Sequence, residues 1–221
     1  MSHIGVSSAL CDSMRHCQNA QKSSLYRGAA KPIYSDNKFA CIGVQPGQGK
    51  RGVSDFTYHA AKMPPSHWNN IVDYVKKVET VLKEYVSTDE IRRLDHGRKL
   101  VGYKTMCPMP GLEPSLPPQI FWGVAIGEDV HLPCHTDVDF SYSVVAVHMD
   151  GCSYLYKDRI VAFFCFPRWG MAVALRCGDV LIFNPLEPHA ISSRCRNDEK
   201  VYVVSIYLKT AVVGLNDNNI Y

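Results

Sequence analysis

The residues of this chain whose types and spacing could hold a metal are His135, Asp137 and His189. His135 and Asp137 are separated by one residue, and on the end of a strand two such side chains point the same way and reach a common ion, while Thr136 points away. Two imidazoles and one carboxylate on one face of an octahedron form the ligand set of a non-haem Fe(II) centre, with three positions left open for a cosubstrate and O₂. A His-x-Asp alone is a common surface-turn pattern. It gains weight from the residues around His189: Gly178-Asp179 marks a turn, 180–183 a buried strand, and Asn184-Pro-Leu-Glu-Pro188 bends the chain back into His189. Turn, strand, loop and histidine in that order return an imidazole to the mouth of a barrel. Two further histidines, His131 and His148, are read as structural or exposed. Asp139, two residues beyond Asp137, either orients a ligand imidazole or caps a turn.

The elements that must position these residues follow from periodicity. After Pro64-Pro65, with Ser66 in an N-cap position, Trp68, Val72, Val75, Val78, Leu82 and Tyr85 recur at three- and four-residue steps, which predicts an amphipathic helix. Thr88 to Ile91 caps a second, shorter helix ending near Gly97. A proline-rich connection over 108–118 leads into eight short strand-like segments at 119–126, 129–134, 142–149, 159–166, 171–176, 180–184, 189–193 and 200–208. Short strands punctuated by Gly, Asp and Pro suggest a rolled antiparallel jelly roll, so the fold class is α+β with supporting helices ahead of it. Residues 1–63 show no sustained period and are read as an irregular basic extension with one or two short elements, leaving 64–221 as the single folded domain.

The pattern over 119–208 resembles the iron- and 2-oxoglutarate-dependent dioxygenase superfamily. More narrowly, His135-Thr-Asp-Val-Asp-Phe-Ser-Tyr-Ser143 and Asn184-Pro-Leu-Glu-Pro-His189-Ala-Ile-Ser-Ser193 are similar to oxygenase-like proteins of algae and other microbial eukaryotes, with affinity to the TET and J-binding branch. The resemblance implies a double-stranded β-helix, Fe(II) on His135, Asp137 and His189, and 2-oxoglutarate as cosubstrate. It implies hydroxylation or demethylation of a substrate, for which a methylated nucleobase is one candidate beside a protein side chain or a small metabolite.

The sequence departs from the superfamily at one position. Members hold the far carboxylate of 2-oxoglutarate with an Arg, less often a Lys, on the last strand, commonly followed by Ser two residues on; a guanidinium matches a carboxylate in bidentate fashion. No such Arg-x-Ser stands here. Lys200 is the expected anchor if it begins the last strand, with Tyr142 as an alternative on another strand and Arg194 as a further candidate, which falls with Arg196 in the preceding loop. Ascorbate in place of 2-oxoglutarate is the alternative reductant. Of the aromatic residues Phe121, Trp122, Tyr142, Phe164 and Phe166, most are read as core, whereas Trp169 in Pro167-Arg-Trp-Gly170 is placed on a turn where a substrate enters and a base could stack.

Composition bounds the remaining choices. Apolar residues make up 46% and charged residues 20%, values of a globular protein, and no apolar run approaches the ~20 residues of a membrane span. Nine cysteines, an odd number without any Cys-x-x-Cys pair, read as reduced thiols. With no secretory signal at the N-terminus, an intracellular location is expected. The net charge of +3 is uneven: residues 1–52 carry seven Lys/Arg against two acids. Such a segment either touches nucleic-acid phosphate or is a solvated leader. Three functions stay open: an Fe(II) dioxygenase; a non-catalytic cupin-like module that binds a metal or ligand; and zinc hydrolysis, for which no Glu stands beside the ligands as a general base.

Overall fold

The structure is a computed structural model that describes residues 2–3, 7–23, 39–43, 45–46, 53–54, 64–101, 123–150, 158–193, 199–210 and 213. Strand β1 (Ser2–His3) precedes helix α1 (Ser8–Ser23), and β2 (Phe39–Gly43), β3 (Gln45–Pro46) and β4 (Val53–Ser54) follow. Helices α2 (Pro65–Tyr85) and α3 (Thr88–Val101) then lead into β5 (Gly123–Glu128), β6 (His131–His135), β7 (Ser143–Met149), β8 (Ile160–Phe166), β9 (Met171–Arg176), β10 (Asp179–Phe183), β11 (His189–Ser193) and β12 (Val201–Tyr207). A six-stranded sheet has the order β1-β10-β7-β12-β5-β2 and faces a four-stranded sheet of order β6-β11-β8-β9. Every pairing is antiparallel, and the two sheets form a double-stranded β-helix.

Strand β7 shows why these strands are continuously apolar. All seven of its residues are buried. Val144 and Ala146 face a core shared with the helices, while Val145, Val147 and Met149 face a second core between the two sheets. A strand covered on both faces loses the polar alternation of a half-exposed one. β12 divides likewise, with Tyr202, Val204 and Ile206 toward the helices and Val201 and Val203 toward the barrel. Helix α2 presents Trp68, Val72, Val75, Val78 and Leu82 to the first core, as its periodicity requires; Tyr85, in the final turn, is exposed. Its cap position is Pro64 rather than Ser66 and carries no side-chain hydrogen bond. α3 is capped by the Ser87 hydroxyl, which accepts from Glu90 N–H at 3.3 Å, and it continues past Gly97, where a Cβ would meet the Phe140 ring.

The reading of 1–63 as irregular is corrected. α1 buries Leu10, Met14 and Cys17 in the same core as α2, and β2 pairs with β5 from Phe39↔Gly127 to Gly43↔Gly123. Arg15 fastens α1 to the end of β7, its Nη2 standing 2.7 Å from both Asp150 oxygens. Part of the supposed extension therefore belongs to the folded body. The sequence shows no helical period there because, beside Leu10, the buried stripe is built of Cys, Met, Ser and Gln, whose spacing barely registers as apolar.

Candidate metal centre

The candidate ligand atoms come together because two antiparallel partners end at the same place. β6 and β11 pair with His135 opposite His189, and the register shifts between His189 and Ile191, bending β11 just beyond its imidazole. Asp137 lies past the end of β6 in the connection to β7, where its N–H donates to Pro185 O at 2.9 Å. One ligand atom from each of the three residues lies within 4.8 Å of the others. Asp137 Oδ2 is 3.5 Å from His189 Nε2 and 3.9 Å from His135 Nε2.

The local sequence sets the tautomers. His135 Nδ1 stands 2.8 Å from Pro133 O and His189 Nδ1 stands 2.8 Å from Glu187 O, so each imidazole gives its Nδ1–H to a carbonyl two residues earlier. Each Nε2 lone pair is thereby turned toward Asp137. The loop before His189 is held by Asn184, whose Oδ1 accepts from Leu186 N–H at 3.1 Å and whose backbone O accepts from Glu187 N–H at 3.1 Å. His189 is 3% exposed, stacked on Phe164 with centroids 5.2 Å apart and meeting Phe183 edge-on at 4.8 Å. Its ring cannot swing away, whereas His135 and Asp137 stand on the open side.

The donor set fits a divalent first-row ion. Ligand atoms about 2.1 Å from a common ion lie about 3.0 Å apart when cis and about 4.2 Å when trans; the Asp137–imidazole separations of 3.5 and 3.9 Å fall between the two, and the set as a whole lies within 4.8 Å, so an ion would draw the three atoms together. Burial by itself would raise the Asp137 pKa, but the contact with His189, whose Nε2 donates to the carboxylate only as an imidazolium, the charge of Lys209 and the charge of either imidazole when protonated outweigh it and lower the value. The ligand carboxylate is thus ionised at neutral pH, as metal binding requires. Three ligands on one side of an ion leave the opposite side for other molecules, unlike the closed four-ligand cage of a structural zinc site.

The other expected site residues are dispersed. Lys200 precedes β12 at the end remote from the triad, paired with Glu128 at 3.1 Å. Strand direction explains this: β12 starts with Val201 beside Met149 and returns to the mouth with Ile206 beside Val144. The structure therefore does not bring Lys200 to the triad. Tyr142 is at the triad end, partly exposed, just before β7. Arg194 and Arg196 lie outside the described residues, as do Phe121 and Trp122. Asp139 is buried and accepts from Ser143 Oγ at 2.8 Å and from Lys209 Nζ. His131 is exposed beside Ser192, and His148 is buried with Nε2 2.7 Å from the Tyr74 hydroxyl.

Lys209 is the residue that sequence reasoning missed. It follows β12, pairs with Asp139 across an isolated bridge, lies 4.5 Å from the Tyr207 ring centroid, and acts on the Asp137 charge. The signal that finds it is strand direction, which the sequence alone does not give: in an alternating antiparallel roll the cation at the far end of the last strand returns to the mouth, and the one at its start does not.

A solved structure shares this fold, and two others match it more loosely. NgTET1, solved in complex with 5mC DNA, matches over 95% of this chain and 92% of its own with 10% identity and a TM-score of 0.54. A Pseudomonas putida prolyl-4-hydroxylase matches over 95% and 90% with 9% identity and a TM-score of 0.46. A prolyl hydroxylase from Trichoplax adhaerens, in complex with a hypoxia inducible factor peptide fragment, matches over 97% and 84% with 11% identity and a TM-score of 0.46. No protein-family profile and no curated protein matches the sequence. The double-stranded β-helix implied by the resemblance to the dioxygenase superfamily is the fold observed.

Proposed function

We propose that this protein is an Fe(II)-dependent dioxygenase that uses 2-oxoglutarate to hydroxylate or demethylate its substrate. The observation that carries the reading is the convergence of two tautomer-fixed Nε2 atoms and one ionised carboxylate at the open end of the barrel. His135, Asp137 and His189 would hold the iron, which when bound supplies the redox chemistry that activates O₂. The chain's own part is to orient both imidazoles through Pro133 and Glu187, to keep water from His189 with Phe164 and Phe183, and to leave one side open. A methylated nucleobase is a candidate substrate, supported by the DNA complex in which NgTET1 was solved. Anaerobic titration of the Fe(II)-loaded protein with 2-oxoglutarate tests the proposal: a visible charge-transfer band that vanishes in Asp137→Ala is expected. Bound iron that gives no band would refute use of this cosubstrate.

The position of Lys200 favours a second reading of the cosubstrate, because the expected carboxylate anchor is elsewhere. Either Lys209 takes that task, sharing its ammonium with Asp139, or ascorbate serves as reductant. Parallel titration with ascorbate separates the two.

A further inference from the structure

Among the described residues six large apolar side chains are left exposed; Tyr85 ends α2, and the other five, Val138, Tyr142, Trp169, Met171 and Leu186, lie at the triad end of the barrel. Val138 follows Asp137, Leu186 lies in the loop before His189, and Met171 pairs with Phe166 where β8 runs beside β11. Trp169 is distinct in being 67% exposed and yet fixed. Its turn, 167–169, is closed by Gly170 at φ 61°, and its indole Nε1–H donates to Glu187 Oε1 at 2.7 Å. Arg168 Nη1 stands 3.7 Å from the other carboxylate oxygen. A ring held by its edge at that exposure leaves its faces open to solvent. Immobilising it costs rotamer entropy and leaves apolar area in water, a loss that is recovered when a flat group covers it.

Glu187 has a second attachment, since its backbone oxygen receives the Nδ1–H of His189. The neighbouring Pro185 O receives the Asp137 N–H. The loop 184–188 thus touches two of the three ligands on one side and the Trp169 turn on the other. We propose, resting on the triad being a metal site, that Trp169 contacts the substrate through a flat unsaturated group and that Glu187 is the positioning residue that couples this contact to His189.

The test uses the full chain loaded with Co(II), whose visible absorption reports ligand geometry, and labelled with 5-fluorotryptophan, the Trp169 resonance being assigned by its loss in Trp169→Phe. Caffeine, a flat uncharged heteroaromatic, is the probe. Titration is expected to shift the Trp169 resonance and the Co(II) band with the same half-saturation, and Glu187→Ala is expected to abolish the shift of the band and weaken Co(II) binding by about 10-fold. Glu187→Gln, which keeps an acceptor for the indole, is expected to restore Co(II) affinity to within about 3-fold of wild type. Should Glu187→Ala not fold, Trp169→Phe serves, since it removes the indole donor and is expected to abolish the response of the band. A resonance that shifts while the band stays still, no response of Trp169 to caffeine, or an unchanged band response in the variants would overturn the inference. If Co(II) binds the wild type and is lost in His189→Ala, those outcomes leave the metal site standing. Failure of the wild type to bind Co(II), or equal binding by His189→Ala, overturns both.

Discussion

At the scale of single residues, the decisive feature is that each candidate ligand imidazole has only one nitrogen to offer. The Nδ1 atoms are engaged by Pro133 O and Glu187 O, so removing one ring leaves no substitute donor at the same place. His135→Ala and His189→Ala are each expected to weaken Fe(II) binding by at least about 100-fold, measured by anaerobic competition with a chromogenic chelator. Retained affinity in both variants would remove the site assignment. The two lysines flanking the last strand should behave oppositely. Lys200→Ala is expected to leave 2-oxoglutarate affinity unchanged and to cost about 1 kcal/mol of stability or less, because its partnership with Glu128 is a partly exposed ion pair. Lys209→Ala should weaken 2-oxoglutarate binding about 10-fold or more if it anchors the far carboxylate; equal affinity in the two variants would show that neither does. The three candidate ligands were legible from donor type and spacing, and the structure brings them together. Lys209 was not, because a cation beside an apolar strand has no meaning until the direction of that strand is known.

At the scale of elements, α2 was legible because its apolar residues lie a helical turn apart and nearly all face one core. Leu82, completely buried among helices and sheet, tests that packing. Leu82→Ala is expected to destabilise the fold by about 2–5 kcal/mol, read from the midpoint of urea unfolding. A loss below 1 kcal/mol would show that α2 is not seated on the sheet. Gly127 tests the opposite error, that of excess volume. A Cβ there would run into Val130 Cγ2 and the Phe39 ring, which approach from β6's lead-in and from β2. Gly127→Ala is expected to cost about 1–3 kcal/mol by the same measurement. A neutral result would mean that β2 does not lie against β5. The strands were read within a few residues of their observed bounds, since Gly, Asp and Pro interrupt them where the sheets change partner. Gly178, at φ 88°, is one such point: its N–H donates to Val147 O at 2.7 Å, and Asp179 accepts from Arg176 N–H at 2.8 Å. α1 escaped because Cys, Met, Gln and Ser make its buried face, and their burial depends on what covers them.

At the scale of the whole molecule, the two cores divide the work. The core between large sheet and helices stiffens one wall, while the core between the sheets ends at the mouth beneath His189, where Phe164 and Phe183 carry it up to the imidazole. A metal held by the triad would join β6, β11 and the connection after β6, segments that no disulfide links among the described residues. Binding to the folded state alone stabilises it by about 2.7 kcal/mol at a free concentration one hundred times Kd. Saturating Co(II) is accordingly expected to raise the thermal midpoint of the wild type by several degrees and to leave that of His189→Ala unmoved. An equal rise in both would place the bound ion elsewhere. No described helix is long and apolar enough to cross a membrane.

What the sequence by itself determined were the features that depend on near neighbours in the chain: the types of the candidate ligands, the parity of His135 and Asp137, the turn chemistry around Gly178 and Asn184, and the periods of helix and strand. What only the tertiary structure decided were the features that depend on distant partners. It set Lys209 rather than Lys200 beside the triad, brought α1 and β2 into the folded body, and joined Glu187 to both His189 and Trp169. The physical reason is that periodicity and turn propensity act over a few residues, whereas the end of the barrel at which a side chain arrives is set by how many times the sheet has reversed before it.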